Sequence, residues 1–237
     1  MSLTGKKILI TGANGGLGRA IAALAAEQGA HLALAEKNPE LAAAALSSLS
    51  NGIEGCAVAA DLADDDATAA MVAQAIDELE GLDGVVVNHA ILASDDGTPA
   101  ETPMQSWQTT LNVNLSGAFR VYKAVLPHLI KQKSGSLVTL SSVVAHSASA
   151  NPQIAYTTSK GALEAMTREI AMTHARDNIR ANCVAPGPVL TERTAHYFDT
   201  EEKWQARRKH IPMGRLGRPE EIAALVCFLL SLSLIHI

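Results

Sequence analysis

Residues 6–19 read Lys6-Lys7-Ile8-Leu9-Ile10-Thr11-Gly12-Ala13-Asn14-Gly15-Gly16-Leu17-Gly18-Arg19, and the fold is decided there. Ile8-Leu9-Ile10 is a short apolar run of the kind that forms a buried strand. It breaks at Thr11-Gly12, more glycines follow, and Ala20 to Ala26 opens a helical pattern. Strand, glycine turn and helix in that order make a phosphate cradle. Glycines lack Cβ and let a pyrophosphate approach the backbone. The helix N-terminus offers free N–H groups and partial positive charge. The spacing Gly12-x3-Gly16-x-Gly18 differs from the commoner G-x-G-x-x-G fingerprint. Alone, it also fits a glycine-rich surface turn, so downstream pieces must decide.

Those pieces alternate. Strands are expected at His31–Glu36, Gly55–Leu62, Leu82–Ala90, Ser136–Ser142 and Ile179–Ala185. Val85-Val86-Val87 predicts a strand buried on both faces, as in a parallel sheet. Helices are expected from Pro39 to Ser50, from Asp64 to Glu80, from Ala155 to Arg176, from Thr200 to His210 and from Pro219 to about Ser231. Met104 to Lys131 reads as one long helical region, interrupted near Asn112–Asn114 and again at Pro127. The segments 91–103, 143–152 and 186–194 read as loops. Repeated βα units imply α/β architecture: a Rossmann-like, doubly wound parallel sheet in three α/β/α layers. No linker interrupts it, so residues 1–231 are expected to form a single dinucleotide-binding and catalytic domain.

Composition narrows the function. The chain has 237 residues, is 48% hydrophobic but only 3% aromatic, and carries a net charge of −5. Ala, Leu, Val and Ile must therefore fill the core. The charge and the lack of a basic cluster argue against nucleic acid as a partner. Cys56, Cys183 and Cys227 are far apart and each lies in an apolar run. They are expected to be buried free thiols, with no disulfide and no metal, which suits a cytoplasmic protein. No targeting segment is expected in MSLTGKK, and Ile222 to Ile237 is too short and too serine-rich to span a bilayer.

Several residues carry chemistry. Glu36 ends the second strand 18 positions after Gly18, where a dinucleotide fold sets an acid against the adenosine ribose diol. A carboxylate there favours NAD and repels the 2′-phosphate of NADP. Gly15 and its neighbours bring no cation for that phosphate, although Lys37 could. Asp61 and Leu62 end the third strand, where they would meet and cover adenine; Asp61 also fits a helix N-cap or a plain loop. Tyr156 and Lys160 are four apart and share a helix face, just after a strand ending in Ser141-Ser142. A free tyrosine, with a pKa near 10, is too weak a base at neutral pH. An ammonium and a cationic nicotinamide nearby would lower it. The arrangement suits removing a proton from an alcohol while hydride leaves its carbon.

In this ordered set the chain resembles the short-chain dehydrogenase/reductase family, in its compact single-domain branch. Thr11-Gly12-x3-Gly16-x-Gly18 matches the family's cofactor motif. Asn88-His89-Ala90 stands where the family has Asn-Asn-Ala-Gly, and Asn114 lies in an Asn-Val-Asn-Leu context. Ser142 precedes Tyr156-x3-Lys160 by 14 positions. Pro186-Gly187-x3-Thr191 matches the loop that contacts nicotinamide, and Arg218-Pro219-Glu220-Glu221 resembles the start of the last helix. The resemblance implies Tyr156 as general acid/base, Lys160 as its pKa-lowering neighbour and ribose ligand, and Ser142 as the hydrogen-bond partner of the substrate oxygen. Asn114 would hold a water linking Lys160 to solvent. Gly12, Asn14, Gly15, Gly16, Leu17, Gly18, Glu36, Asp61, Leu62, Asn88, Ala90, Tyr156, Lys160, Pro186, Gly187, Val189 and Thr191 would bind the cofactor, with Thr191 on the carboxamide. His146, Ala148, Asn151, Gln153 and the lid-like 192–210 segment are expected to line the substrate site. A homodimer or homotetramer built on the 104–131 and 155–176 helices is expected when the C-terminus is intact.

Two departures from the family stand out. His89 and Ile91 replace an Asn and a Gly; His89 is expected to be a packed or loop histidine, and Ile91 to crowd the cofactor or shift the next loop. After the last helix the family continues into a seventh strand and a glycine-containing segment. Here Leu232 to Ile237 shows neither, so an atypical, non-native tail at 232–237 and a sheet lacking the usual last strand are expected. The expected function is transfer of hydride between a nicotinamide, NAD before NADP, and a small secondary alcohol or its ketone. The rivals are an NADPH-linked 3-oxoacyl-type ketone reductase and a non-catalytic cofactor-sensing or scaffold protein.

Overall fold

The computed structural model describes residues 2–49, 54–147, 149 and 151–231. The tail 232–237 and Ala148 lie outside the described residues. The strands are β1 (Lys7–Thr11), β2 (His31–Glu36), β3 (Gly55–Ala59), β4 (Gly84–Val87), β5 (Gly135–Leu140) and β6 (Ile179–Val184). They form one parallel sheet in the order β3-β2-β1-β4-β5-β6. The order reverses between β1 and β4, and a crevice opens there beyond the strands' carboxyl ends.

Alternation along each strand feeds both faces of the sheet. Leu9 packs into a core with Val58, Met71, Val85, Tyr122 and Leu163. Its neighbours Ile8 and Ile10 join Ile21, Leu34, Val86, Val138 and Val226 in another. Val85, Val86 and Val87 are all buried, as the triple β-branched run predicts. Among the helices are α1 (Gly16–Glu27), α2 (Pro39–Ser47), α3 (Asp65–Glu78), α4 (Met104–Leu111), α5 (Gly117–Gln132), α6 (Val144–Ser147), α7 (Ile154–His174), α8 (Glu201–Arg208) and α9 (Pro219–Leu230). No helix among the described residues is long and apolar enough to cross a membrane.

Three local expectations are corrected. The break near Asn112–Asn114 is a π turn, Asn112–Ser116, that joins α4 to α5 without a loop. Pro127 sits inside α5 without ending it. An interior proline costs about 3 kcal/mol; burial of Val121, Tyr122, Val125 and Leu129 on the same helix offsets it. The 143–152 segment carries a short helical turn, α6, rather than loop throughout. Cys56 and Cys227 are buried free thiols, whereas Cys183 is only partly buried on β6, which pairs only with β5 among the described strands.

Candidate active site

The glycine turn is shaped by space. Gly12 has φ of +64°, and a Cβ there would lie 2.8 Å from His89 Cα. A Cβ on Gly18 would lie 2.2 Å from Gly12 O and 2.8 Å from Ala13 Cα. Only glycine lets α1 start this close to β1. Gly15, the N-cap of α1, contributes no side-chain cap, and no acidic residue occupies the first turn. The exposed N–H groups and the helix dipole there are left for an anion. A cavity of about 1070 Å³ opens over this turn, at the top of the range of roughly 300–1,000 Å³ usual for ligand pockets. It has room for a dinucleotide and a substrate together.

Most sequence-assigned residues meet in that cavity. Gly12, Gly15, Gly16, Leu17, Glu36, Asp61 and Leu62 line one part. Asn88, Ala90, Ser142, Tyr156, Lys160, Pro186, Gly187, Val189 and Thr191 line the other. Asn14, Gly18 and Asn114 do not reach the lining. Gly18 backs the turn. The Asn14 N–H donates to Glu36 Oε1 at 2.8 Å, and its side chain accepts from Arg19 at 2.9 Å. Glu36 therefore ties β2 to the glycine loop while lining the cavity. Asp61 is no N-cap: Oδ1 accepts from the Ala63 N–H at 3.0 Å, and Asp64 caps α3. Lys37 lies 2.7 Å from Asp61 Oδ2, and this cation holds the Asp61 carboxyl below its usual range.

The expected catalytic tyrosine and lysine sit at the start of α7. Asp96, from the 91–103 loop, accepts from the Ala155 and Tyr156 N–H groups at 3.0 and 2.9 Å. It caps the helix that carries Tyr156 from a position 60 residues away. Sequence reasoning misses Asp96 because no local spacing links the two. Leu92, Thr109 and Val113 also line the cavity without a sequence signal. Lys160 is buried, and Nζ donates to Leu140 O at 2.7 Å. Burial, and then the charge of Arg193, bring its pKa down from the usual lysine value to about 8. It is an ammonium at neutral pH.

Tyr156 departs from expectation. Its phenol is raised, not lowered, because burial is the largest influence; Arg193 and a hydrogen bond with Ser142 pull the other way. The Lys160 ammonium lies 5.5 Å from the ring centroid and is turned to a strand carbonyl. Ser141 Oγ is engaged by Lys160 O at 3.0 Å and Glu164 Oε1 at 2.9 Å, which leaves Ser142 as the serine facing the phenol. Asn114 is fully buried in the π turn. Its Oδ1 accepts from the Ile91 N–H at 2.8 Å, and its Nδ2 donates to Ile91 O at 2.9 Å and Ser159 Oγ at 3.1 Å. Ile91 keeps its backbone locked to Asn114 and is among the residues that line the cavity.

His146 is corrected. Instead of lining this cavity, it pairs with Glu164, Nε2 to Oε1 3.0 Å. Asn151 and Gln153 do line the cavity, as do Arg193, Tyr197, Phe198, Arg207 and His210 of the lid-like segment.

His89 packs as expected. Nδ1 lies 2.8 Å from Thr11 Oγ1, Nε2 lies 3.2 Å from Val113 O, and one edge opens to the cavity. Burial, reinforced by the Lys160 charge, lowers its pKa to about 4. The unfolded chain binds a proton below about pH 6.5 that the folded chain refuses until about pH 4. Stability present above 6.5 is therefore lost as pH falls through this window, at up to about 1.4 kcal/mol per unit. The urea midpoint is expected to drop more steeply between pH 7 and 4.5 in the parent than in His89→Asn. Equal slopes would rule out His89 as the source.

A family model described as "Enoyl-(Acyl carrier protein) reductase" matches residues 12–234. The chain is 34% identical over 235 residues to glucose 1-dehydrogenase 2 of Bacillus subtilis (strain 168), covering 97% of this chain and 89% of that protein. It is 36% identical over 237 residues to the 3-oxoacyl-[acyl-carrier-protein] reductase FabG of Thermotoga maritima, covering 98% and 92%. The crystal structure of an NAD+-bound xylitol dehydrogenase superposes with a TM-score of 0.90 at 28% identity, over 98% of this chain and 94% of that one.

Proposed function

The chain belongs to the short-chain dehydrogenase/reductase family of NAD(P)-dependent oxidoreductases, and from that premise we propose that it uses NAD(H) to interconvert a secondary alcohol and its ketone, with Tyr156 moving the proton. The observation that carries this reading is the convergence of Ser142, Tyr156 and Lys160 on the cavity that also holds the glycine turn and Glu36.

The chain fits the cofactor. Gly12 and Gly18 leave no room for side chains in the cradle, and the N-terminus of α1 has no acceptor of its own. Gly15, Gly16 and Leu17 would hold the pyrophosphate, Glu36 the adenosine ribose, and Thr191 and Lys160 the nicotinamide end. When bound, the nicotinamide supplies the hydride acceptor or donor. Ser142 orients the substrate oxygen. In oxidation the Tyr156 phenolate takes the hydroxyl proton; in reduction the phenol returns it to the carbonyl oxygen. Lys160 and Arg193 supply positive charge beside that phenolate. Asp96 holds the helix terminus from which the phenol projects.

NAD is favoured because Glu36, at the end of β2, lines the cavity beside the glycine turn, where its carboxylate would repel a 2′-phosphate, and Lys37 is engaged with Asp61. Fluorescence titration with NADH and NADPH tests this. Glu36→Ala should weaken NADH binding roughly 10- to 100-fold, the loss of one or two charge-assisted hydrogen bonds, and should narrow the gap to NADPH. Tighter NADPH binding by the parent would overturn the assignment and favour a 3-oxoacyl-type reductase. Met104, Phe119 and Met172 are exposed on α4, α5 and α7, which supports a homodimer or homotetramer through those helices. The free thiols suit a cytoplasmic setting.

A further inference from the structure

The cavity's charges are divided. Among the described residues its lining contains two acids, Glu36 and Asp61, at or just beyond the carboxyl ends of β2 and β3, with Lys37 paired to Asp61 beside them. The part beyond β4, β5 and β6 is lined by Lys160, Arg193, Arg207 and His210 and by no carboxylate. Arg193 reaches back from the loop after β6, and Nη1 donates to Ala90 O at 3.0 Å. Its charge is felt by both Tyr156 and Lys160. Arg207 of α8 lies over Tyr197 and Phe198, 5.9 and 5.8 Å from the ring centroids. Its other polar contact is the Lys203 carbonyl, at 3.4 Å from Nη1. Among the described residues neither arginine has a carboxylate partner, although the chain carries 24 acids. Glu192, adjacent to Arg193, points to Arg19 instead, 3.7 Å away.

Arg193 is exposed and Arg207 half-buried, so water screens their repulsion and their guanidinium donors stay open to an anion; guanidinium–carboxylate and guanidinium–phosphate pairs are among the stronger hydrogen bonds. The aromatic pair beneath Arg207 limits the orientations its planar head adopts, so less freedom is lost on binding. We infer that the substrate carries an anionic group, carboxylate or phosphate, and that Arg193 and Arg207 receive it on the lid side of Tyr156. This deepens the oxidoreductase reading and rests on it.

The test uses matched pairs: oxo acids and their methyl esters, and sugar phosphates and the parent sugars, assayed with NADH or NAD+. The charged member of a pair should be preferred at least tenfold in kcat/KM. Arg193→Met and Arg207→Met should each shrink that ratio toward one, by roughly tenfold, the lower end of the worth of a charged hydrogen bond. Any change the variants cause in the Tyr156 phenol affects both members and cancels in the ratio. NADH affinity, titrated separately, should stay put. A rise in the NADH Kd matching the kinetic loss would assign the arginines to the cofactor's phosphates and overturn the inference. So would preference for neutral members. If no pair is turned over, binding of the same anions is read from quenching of the protein–NADH complex, and failure of every anion to bind overturns it. Failure of the oxidoreductase reading looks different: NADH itself does not bind.

Discussion

A Tyr156→Phe chain should turn over its best alcohol about 10²- to 10⁴-fold more slowly than the parent, the usual worth of a positioned acid/base. The substitution removes one oxygen and leaves the ring, α7 and the Asp96 cap in place. NADH affinity should therefore move by no more than about twofold, so the loss falls on kcat and not on binding. Ser142 cannot take over, because a serine hydroxyl is a poor base without a partner to deprotonate it, and the ammonium of Lys160 is turned to Leu140 O. Steady-state kinetics beside the fluorescence titration separates the two effects. A phenylalanine chain that keeps full turnover would remove Tyr156 from the mechanism. One that keeps its full physiological effect without turnover would favour a cofactor-sensing role.

Gly18→Ala should be the most damaging single methyl in the chain. The added Cβ would meet Gly12 O at 2.2 Å and two Ala13 backbone atoms within 2.9 Å, and none of these can swing aside like a side chain. Either α1 withdraws from β1 or the turn opens. Overpacking of this kind costs about 1–3 kcal/mol or more, and the cradle loses its shape in both cases. NADH binding should become undetectable at concentrations that saturate the parent. Gly15→Ala is the folding control, since its Cβ would have only Gly12 O nearby, at 3.6 Å. Gly16→Ala should fall between, because its clash at 2.8 Å is with the Thr191 side chain. Urea midpoints should rank Gly15, then Gly16, then Gly18 variants from most to least stable. A Gly18→Ala chain with parental stability would show that the turn has slack the backbone does not reveal.

Much of this was legible in the residues. Apolar runs such as Leu32–Ala35 and Val85–Val87 are local signals, and β2 begins and ends where the sequence places it, at His31 and Glu36. Most of the assigned residues that converge on the cavity stand at or just after strand ends, which a doubly wound sheet gathers along one edge, while Tyr156 and Lys160 reach it from the start of α7. What escaped was nonlocal. Asp96 caps a helix start 60 positions later. His146 turns to Glu164 because a helical turn, α6, replaces the expected loop. The Tyr156 phenol responds mainly to burial and to Arg193, and neither can be read from a Tyr-x3-Lys spacing. Pro127 was misread because a proline is locally a helix breaker, while the apolar face that retains it spans the whole of α5.

The π turn between α4 and α5 has a consequence for how the chain tolerates changes of length. It holds one residue more than an α-helical path would use. Deleting a residue from 112–116 would let the ladder close as one regular helix, so the helical content would survive. Because the surplus residue is the one removed, α4 and α5 would keep their phase, but the residues left within the turn would be shifted around its axis by as much as about 100°. Asn114 would then be turned away from Ile91 and Ser159 while α5 kept its buried face. Such a deletion would keep its circular dichroism spectrum and lose the polar lock behind the site. Here the count of residues, as much as their identity, is inherited information.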